Sequence, residues 1–260
     1  MLLFFDIDGT LITDDERRFL PDSAREAIAL TRARGNKVFI NTGRVFVNID
    51  DFIRDVGFDG YVCGCGSYIV NDGNVLYHHK IPQDVCRDIA YKCRQFRFYS
   101  LFEYAHHTAF DSSIDDPFRD RLVEYFSTVS RRLITDIEDP DFVFDKFSAW
   151  YYEDSDIEGF KKYISKYFDY IDREGNFCEM PPAGHSKATG IKFLLDYFDE
   201  DIHNAYVFGD GNNDLEMMNY GDNSICLGGG SELAKKAATF VTDTVENDGL
   251  FKAMKHFDLI

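Results

Sequence analysis

Four acidic side chains stand in two short segments whose spacing suits metal binding or acid–base chemistry. Asp6 and Asp8 follow the apolar segment Leu2–Phe5, while Asp210 and Asp214 lie in a second acidic segment, GDGNND, after another apolar run. In an extended chain, residues two apart point to the same side, so Asp6 and Asp8 are expected to face one pocket. Carboxylates held together can bind a divalent cation, attack an electrophile or carry a proton. Taken alone, the first segment is equally explained by a turn or a helix cap.

Calcium-binding loops also place Asp and Asn at alternate positions, but this alternative fails on the count of residues. An EF-hand loop needs Gly at its sixth position and a Glu at its twelfth. Counted from Asp210, those positions hold Leu215 and Gly221, and the count from Asp6 fails at both positions as well. Neither acidic segment is therefore an EF-hand loop.

Two further segments carry groups that suit a phosphate ligand. Thr42 and Gly43 follow the apolar run 38–40, and a hydroxyl beside an accessible backbone N–H can bind phosphate oxygens. A capping Thr in a turn explains the same pair. Lys187 follows Ser186, which is placed to begin a helix, and a cation in the first turn opposes the helix dipole. We therefore expect an anion or a group of carboxylates in front of Lys187, with a solvated Lys as the alternative.

The elements that must position these residues follow from the apolar pattern. Three short apolar runs, Leu2–Phe5, 38–40 and 205–208, each end in a polar segment that contains Gly, as buried strands do. A helix is predicted over 23–34, with Pro21 and Asp22 at its start and Gly35 at its end. Strand, helix and strand at this spacing predict a parallel sheet. Since ligands bind beyond the carboxyl ends of such strands, the polar segments are expected to converge on one site.

The middle of the chain changes character and predicts an inserted α+β domain over 83–183, within a core formed by 1–82 and 184–260. Pro-containing segments flank the insertion on both sides. Its predicted helices are 84–94, 117–129 and 157–170, and its predicted strands are 96–104, 142–152 with one irregularity, and 177–180.

Together the motifs resemble a known family. DIDGT, the Thr of NTGR, the Lys of GHSKATG and GDGNND are similar to the four ordered motifs of haloacid dehalogenase-type phosphotransferases. The layout, with its insertion between the second and third motifs, resembles the Cof-type sugar-phosphatase branch, which has a large α/β cap. The resemblance implies a Rossmann-like parallel-sheet core with an inserted cap that closes over the site and selects the substrate. One departure is the segment CGCGSYIV, where Cys65 stands in place of the Asn of the usual Asn-Gly pair.

The resemblance also implies a role for each motif residue. Asp6 is the expected nucleophile and a metal ligand, and Asp8 is the expected general acid and base that binds the metal through its backbone carbonyl. Asp210 is an expected Mg²⁺ ligand, and Asp214 supports the metal directly or through water. The residues expected to hold or touch the phosphate are Thr42, Gly43, Lys187 and Asn213.

The implied activity is a Mg²⁺-dependent phosphatase acting on a small phosphorylated metabolite, such as a sugar phosphate, through a phosphorylated Asp6. Two alternatives stay open. A phosphomutase uses the same aspartyl phosphate but returns the phosphoryl group to its substrate. A non-catalytic protein that only binds a phosphorylated ligand is the second alternative, although all four motif positions hold reactive residue types.

Composition narrows the possible partners and location. The formal net charge of −18 argues against DNA or RNA as a partner, because their binding rests largely on Lys and Arg. Hydrophobic residues make up 45% of the 260, which indicates a folded chain with a sizeable core. Since no apolar run approaches the roughly 20 residues of a membrane-spanning helix, a cytoplasmic protein without a membrane partner is expected.

The cysteines and a pair of adjacent histidines are further residue types that can bind metal. Six scattered cysteines in a long chain are expected to be reduced, and Cys63 and Cys65 are expected to be buried, inert thiols and not half of a metal site. His106 and His107 are adjacent, so their side chains point apart in a strand and make a poor metal pair. We expect both histidines at the surface or facing the substrate.

Overall fold

The computed structural model describes residues 1–114, 119–129, 132–173 and 175–260, and these residues form two compact units. The first unit comprises 1–43, 51–77 and 186–260, and the second comprises 44–50 and 78–185. The division expected from the sequence, 83–183 within 1–82 and 184–260, places the junctions a few residues away and leaves 44–50 in the core. That short segment was not expected to pack with the second unit.

Strands and helices are numbered in chain order. The strands are β1 (Leu2–Phe5), β2 (Lys37–Asn41), β3 (Gly60–Cys63), β4 (Tyr68–Asn71), β5 (Asn74–His78), β6 (Phe98–Tyr104), β7 (His107–Phe110), β8 (Leu133–Ile134), β9 (Lys146–Tyr151), β10 (Ile171–Arg173), β11 (Phe177–Met180), β12 (Ala205–Gly209), β13 (Asn223–Cys226) and β14 (Phe240–Val241). The helices are α1 (Asp22–Ala33), α2 (Asp51–Arg54), α3 (Gln83–Phe96), α4 (Arg119–Val129), α5 (Ile157–Ile164), α6 (Lys187–Phe198), α7 (Leu215–Tyr220), α8 (Glu232–Ala237) and α9 (Gly249–His256).

The first unit is built on an eight-stranded sheet in the order β14-β13-β12-β1-β2-β3-β4-β5. The strands from β14 to β3 are parallel, and β4 returns antiparallel to β3. The predicted parallel-sheet core is therefore confirmed. The helix predicted over 23–34 runs from Asp22 to Ala33, with Pro21 at its N-cap and Gly35 in left-handed backbone just beyond it.

The register of the central strands brings three strand ends level. Phe5 at the end of β1 pairs with Ile40 of β2 on one side and with Phe208 of β12 on the other. Since parallel strands end at the same edge of a sheet, the segments that begin at Asp6, Asn41 and Gly209 emerge side by side. All four residues of β1 are buried, so the first of these segments starts in the middle of the core.

The second unit is α+β, as predicted, with a six-stranded sheet in the order β10-β11-β9-β6-β7-β8. Seven phenylalanines are among the buried residues of its core, and Phe98 stacks on Phe160 of α5 with ring centroids 4.1 Å apart. The predictions for the 84–94 helix and the 177–180 strand are confirmed by α3 and β11. Residues 117 and 118 of another predicted helix lie outside the described residues, and α4 accounts for 119–129.

Two boundaries in the second unit were predicted wrongly. The strand predicted over 142–152 begins only at Lys146, because Phe142 and Phe144 are buried in the aromatic core from the loop that precedes β9. Their alternation reflects burial in a loop and not a strand. The helix predicted over 157–170 ends at Ile164, and the chain then turns into β10.

The histidine prediction is half right. His106 is exposed in the turn between β6 and β7, and its neighbour points the other way. His107 is buried at the start of β7 with its Nε2 2.9 Å from the carbonyl of Val143, so the expectation of a surface or substrate-facing side chain was wrong. The tight turn directs this ring into the unit.

Two further expectations concern the state of the cysteines and membrane-spanning helices. All six thiols are free, as expected, and five are buried, but Cys65 is only partly buried. Among the residues that the structure describes, no helix combines the length and apolar character needed to cross a membrane.

Candidate active site

The end of β1 delivers Asp6 into the interior of the first unit. The backbone N–H of Asp6 donates to the carbonyl of Phe208 at 3.0 Å, which extends the pairing of β1 with β12 by one residue. The chain then turns at Gly9, whose φ is +75°. The assigned strand ends at Phe5, so strand alternation alone does not place Asp6 and Asp8 on one side, and their facing one pocket stays a prediction. Asp6 is 4% exposed and Asp8 is partly exposed.

Asp6 is one of three carboxylates that meet at the level ends of the strands. Asp6, Asp210 and Asp214 each place a carboxylate oxygen within 4.8 Å of the other two. Asp210 follows β12 directly, and Asp214 closes the 3₁₀ turn 212–214 that comes after it. Buried carboxylates are costly unless cations neutralise them, and oxygen donors at this spacing suit a hard divalent cation. The donor set therefore fits the expected Mg²⁺.

Lys187 supplies one positive charge to this cluster from the first turn of α6. Its Nζ lies 2.7 Å from Oδ1 of Asp6 and 2.5 Å from Oδ1 of Asp214, and its side chain is buried. Ser186 caps the helix by accepting the backbone N–H of Thr189. The expected carboxylates in front of Lys187 are therefore present. Burial alone would lower the pKa of Lys187, but Asp214 and Asp6 outweigh it and raise the pKa.

The cluster holds three carboxylates and one ammonium, and the pKa values of Asp6 and Asp210 are both raised. Burial raises the pKa of Asp6 to about 8, with Lys187 opposing the shift and Asp214 adding to it. Burial likewise raises the pKa of Asp210 to about 6, opposed by the hydrogen bond from Thr10. Both shifts mean that ionised carboxylates are unfavourable in this cluster until another positive charge arrives.

Asp214 ties the cluster together through both of its oxygens. Oδ2 accepts the backbone N–H groups of Asp210 and Gly211, each at 2.9 Å, while Oδ1 accepts Lys187. The carboxylate packs so closely on Gly209 that a Cβ added there would lie 2.7 Å from Asp214 Cγ. Asp214 is 0% exposed. It therefore fixes the Asp210 loop and Lys187 at the same time.

Two residues of the first motif have roles that the sequence did not suggest. Thr10 Oγ1 donates to Oδ1 of Asp210 at 2.8 Å, which orients that carboxylate. Gly9 passes so close to Asp210 that an added Cβ would lie within 3.0 Å of its carboxyl group. The DIDGT motif was the available signal, because it places a small residue and a hydroxyl directly after the two acids.

The Thr42 segment is held by backbone and side-chain hydrogen bonds. The N–H of Thr42 donates to the carbonyl of Val62 at 2.9 Å. The carbonyl of Thr42 accepts the N–H of Cys65 at 3.2 Å. Asn41 was not predicted from the sequence: it is fully buried, and its Nδ2 donates to the carbonyl of Lys187 at 3.1 Å. A polar residue ending an apolar strand was the only signal for it. The segment therefore lies beside the start of α6.

The predicted roles of the remaining residues are not tested by these contacts. Asn213 is exposed in the turn 212–214, next to Asp214. Gly43 follows Thr42, and a Cβ added to it would lie 3.5 Å from Sγ of Cys65. The contacts of Gly43 and Asn213 with phosphate, and the metal contact of Asp8, stay predictions.

Comparison with known proteins finds the same family over nearly the whole chain. A profile of the haloacid dehalogenase-like hydrolase family matches residues 3–254. The chain is 28% identical to YkrA of Bacillus subtilis (strain 168), which is named as a candidate phosphatase, over 100% of this chain and 98% of YkrA.

Solved structures are similar over the same extent. A protein from Geobacillus kaustophilus HTA426 has a TM-score of 0.86 and 27% identity, covering 100% of this chain and 99% of that one. BT4131, described as a sugar phosphatase of haloacid dehalogenase subclass IIB, has a TM-score of 0.81 and 27% identity, again covering 100% and 99%. The resemblance drawn from the four motifs is confirmed, and the chain belongs to the haloacid dehalogenase-like hydrolase family of enzymes.

Proposed function

We propose that this chain is a Mg²⁺-dependent phosphatase that hydrolyses a small phosphorylated metabolite through a phosphorylated Asp6. The observation that carries the proposal is the buried cluster in which Asp6, Asp210 and Asp214 surround a single Lys187. Such a cluster has one ammonium for three carboxylates, so a bound divalent cation would balance its charge and place a second cationic group beside an incoming phosphate.

Asp6 and Asp210 are the side chains that would hold the cation, with the backbone carbonyl of Asp8 as the third protein ligand. When bound, Mg²⁺ supplies the positive charge that lets a carboxylate approach a phosphate dianion. Asp214 supports this arrangement indirectly, because its oxygens already accept Lys187 and two backbone N–H groups.

The chain's own residues then divide the reaction into two steps. In the first, a carboxylate oxygen of Asp6 forms a bond to phosphorus while the bond to the leaving oxygen breaks, and Asp8 gives that oxygen a proton. In the second, Asp8 takes a proton from water, whose oxygen attacks phosphorus and frees Asp6 with release of inorganic phosphate. Lys187, 2.7 Å from Asp6, and the hydroxyl of Thr42 hold the other phosphate oxygens.

The substrate class is a small phosphate monoester, and a sugar phosphate is the first choice. BT4131, with a TM-score of 0.81, is described as a sugar phosphatase. A relative 23% identical over 98% of this chain, YitU of Bacillus subtilis (strain 168), is named a 5-amino-6-(5-phospho-D-ribitylamino)uracil phosphatase, and the substrate in that name also carries a phosphorylated polyol. The net charge of −18 disfavours a nucleic-acid substrate.

The test is release of inorganic phosphate from a panel of sugar phosphates, nucleotides and pyridoxal phosphate, with and without a chelator. We expect turnover of at least one sugar phosphate, loss of turnover in EDTA and recovery when Mg²⁺ is added in excess. The matched control is Asp6→Asn, purified in the same way, because residual release by that variant measures contaminating phosphatases.

Two results would reject the proposal. Full turnover in EDTA contradicts the metal requirement, and equal turnover by the Asp6→Asn control contradicts the nucleophile. Transfer of the phosphoryl group to a second position of the sugar, dependent on a bisphosphate activator, would identify a phosphomutase instead.

A further inference from the structure

The turn that joins β3 to β4 has unusual backbone and touches both phosphate-binding segments. Three consecutive residues, Gly64, Cys65 and Gly66, have left-handed φ values of +56°, +56° and +87°. We propose that this turn, residues 64–67, is a positioning element that sets the spacing between Thr42 and Lys187. This inference rests on the proposed function, in which both residues hold phosphate. None of its own side chains needs to touch the substrate for this role.

The turn first contacts the Thr42 segment, which is held by hydrogen bonds to β3 and to the turn. Val62 accepts the N–H of Thr42, and the N–H of Cys65 donates to the carbonyl of Thr42 at 3.2 Å. The peptide groups on both sides of Thr42 are therefore tied to the hairpin. A movement of the turn must carry the Thr42 hydroxyl with it.

The turn also contacts the start of α6, which packs directly on Gly66. A Cβ added to Gly66 would lie within 3.0 Å of the carbonyl oxygen of Ser186, and 3.2 Å from the backbone N of Gly190. Both of those atoms are backbone, so they cannot swing away as the end of a flexible side chain can. The first turn of α6 also carries Lys187, whose ammonium reaches Asp6.

The turn itself has little freedom to adjust. The N–H of Gly66 donates to the carbonyl of Cys63 at 3.0 Å, and the N–H of Ser67 donates to the carbonyl of Gly64 at 3.3 Å. Cys65 occupies left-handed backbone in which Asn is the favoured residue apart from Gly. This conformation presents the N–H of residue 65 to the carbonyl of Thr42.

The direct test compares Gly66→Ala with a matched control, Gly73→Ala. Gly73 lies in the next turn of the same sheet, between β4 and β5, with a φ of +76° and nothing within 4 Å of an added Cβ. Both substitutions put Ala into left-handed backbone, so both should lower the Tm, and Gly66→Ala should lower it more because its methyl group meets backbone atoms. Only Gly66→Ala adds a methyl group against the start of α6.

The expected readout is phosphate affinity and catalytic efficiency, not stability. A displacement of about 1 Å in a positioning group costs about 100-fold, so kcat/KM of Gly66→Ala for p-nitrophenyl phosphate should fall by about that factor. Binding of inorganic phosphate with Mg²⁺ present, measured by calorimetry, should weaken in parallel. Gly73→Ala should stay within about twofold of the unsubstituted protein, the change expected where no contact is made. A folded Gly66→Ala protein that matches Gly73→Ala in both measurements overturns the proposal.

If Gly66→Ala does not fold, a second pair of variants tests how the packing of α6 on the β3–β4 hairpin sets the position of Lys187. A Cβ added to Gly190 would lie within 3.0 Å of Cγ1 of Val62 but 3.4 Å from Cα of Gly66 and 3.5 Å from Cβ of Val62. Gly190→Ala should therefore push α6 from the hairpin and weaken phosphate binding, although Ala favours the helix. Adding Val62→Ala removes the obstructing methyl group and should restore binding.

Failure of restoration, or no loss in Gly190→Ala, would overturn the inference. Failure of the proposed function is distinguishable, because it appears as absent turnover in the unsubstituted protein. The calorimetric binding of phosphate reports on the positioning of Thr42 and Lys187 even in a protein that hydrolyses nothing.

Discussion

Asp214 offers the sharpest test of how the cluster is held together. In Asp214→Asn, one side-chain oxygen remains where there were two, while the protein still presents Lys187 Nζ and the backbone N–H groups of Asp210 and Gly211. The Asn amide must then point its own NH₂ at one of these donors. Because Asp214 is 0% exposed, water cannot replace the missing acceptor.

The expected change in the free energy of unfolding follows from the contacts that Asp214→Asn removes and those that remain. Breaking one partner of a buried ion pair costs about 3–5 kcal/mol, and a buried donor left without an acceptor costs about 1–3 kcal/mol. Two features reduce the sum: Lys187 keeps Asp6 at 2.7 Å, and the repulsion that raises the pKa of Asp6 loses one of its sources. We therefore expect a loss of about 3 kcal/mol in the free energy of unfolding, near the lower end of the ion-pair range.

The assay is urea unfolding followed by far-UV circular dichroism in EDTA, and Asp196→Asn is the matched control. Asp196 also pairs with a lysine of α6, Lys192, at 2.8 Å, but both side chains are more than 60% exposed. Exposed pairs of this kind contribute about 0.3–0.5 kcal/mol. If Asp214→Asn is destabilised by less than about 1 kcal/mol, or by no more than the control, Asp214 does not hold the cluster together and the reasoning is refuted.

Four further outcomes are expected. Asp6→Asn should stay folded by circular dichroism and lose more than about 10⁴-fold in kcat, because an amide is not a usable nucleophile; near-normal turnover would contradict its role. Asp8→Asn should release up to one equivalent of nitrophenol from p-nitrophenyl phosphate and then stall with one phosphoryl group added to its mass, whereas steady turnover without that species would exclude Asp8 as the acid and base. Mg²⁺ should raise the Tm more at pH 8 than at pH 6, because pKa values of about 8 for Asp6 and about 6 for Asp210 mean that protons compete with the metal more strongly at the lower pH; an equal or opposite shift would count against these ligands. Alkylation should reach Cys65 before the five buried thiols, whose peptides can be followed by mass spectrometry, and first labelling elsewhere would contradict the observed burial.

Local patterns in the sequence were sufficient for the framework of the first unit. The strands around Leu2–Phe5, 38–40 and 205–208 were predictable because a short apolar run that ends in a Gly-containing polar segment is typical of a buried strand. The same runs predicted a parallel sheet, and a parallel sheet predicts that Asp6, Thr42 and Asp210 emerge at one edge. Lys187 in a first helical turn pointed to carboxylates in front of it, and they are there.

The second unit shows where local patterns mislead. Alternating aromatic residues are typical of a strand, but in a core this rich in Phe the same spacing also occurs in a buried loop, as Phe142 and Phe144 show. His107 was expected at the surface or facing the substrate, because its adjacency to His106 argued only against a metal pair. Its burial depends on the carbonyl of Val143, a partner 36 residues away.

The amino-acid sequence by itself determined the candidate catalytic residues, since residue type and order within a motif are local properties. The tertiary structure decided which of them meet and what holds them. Thr10 reaches Asp210 across 200 residues, Asn41 reaches Lys187 across 146, and Lys187 reaches Asp214 across 27. The role proposed for the turn 64–67 likewise rests on two tertiary contacts, of Cys65 with Thr42 and of Gly66 with the start of α6. Hydrogen-bond partners of buried polar groups depend on strand register and helix placement, which are settled by packing of the whole unit and leave no local trace.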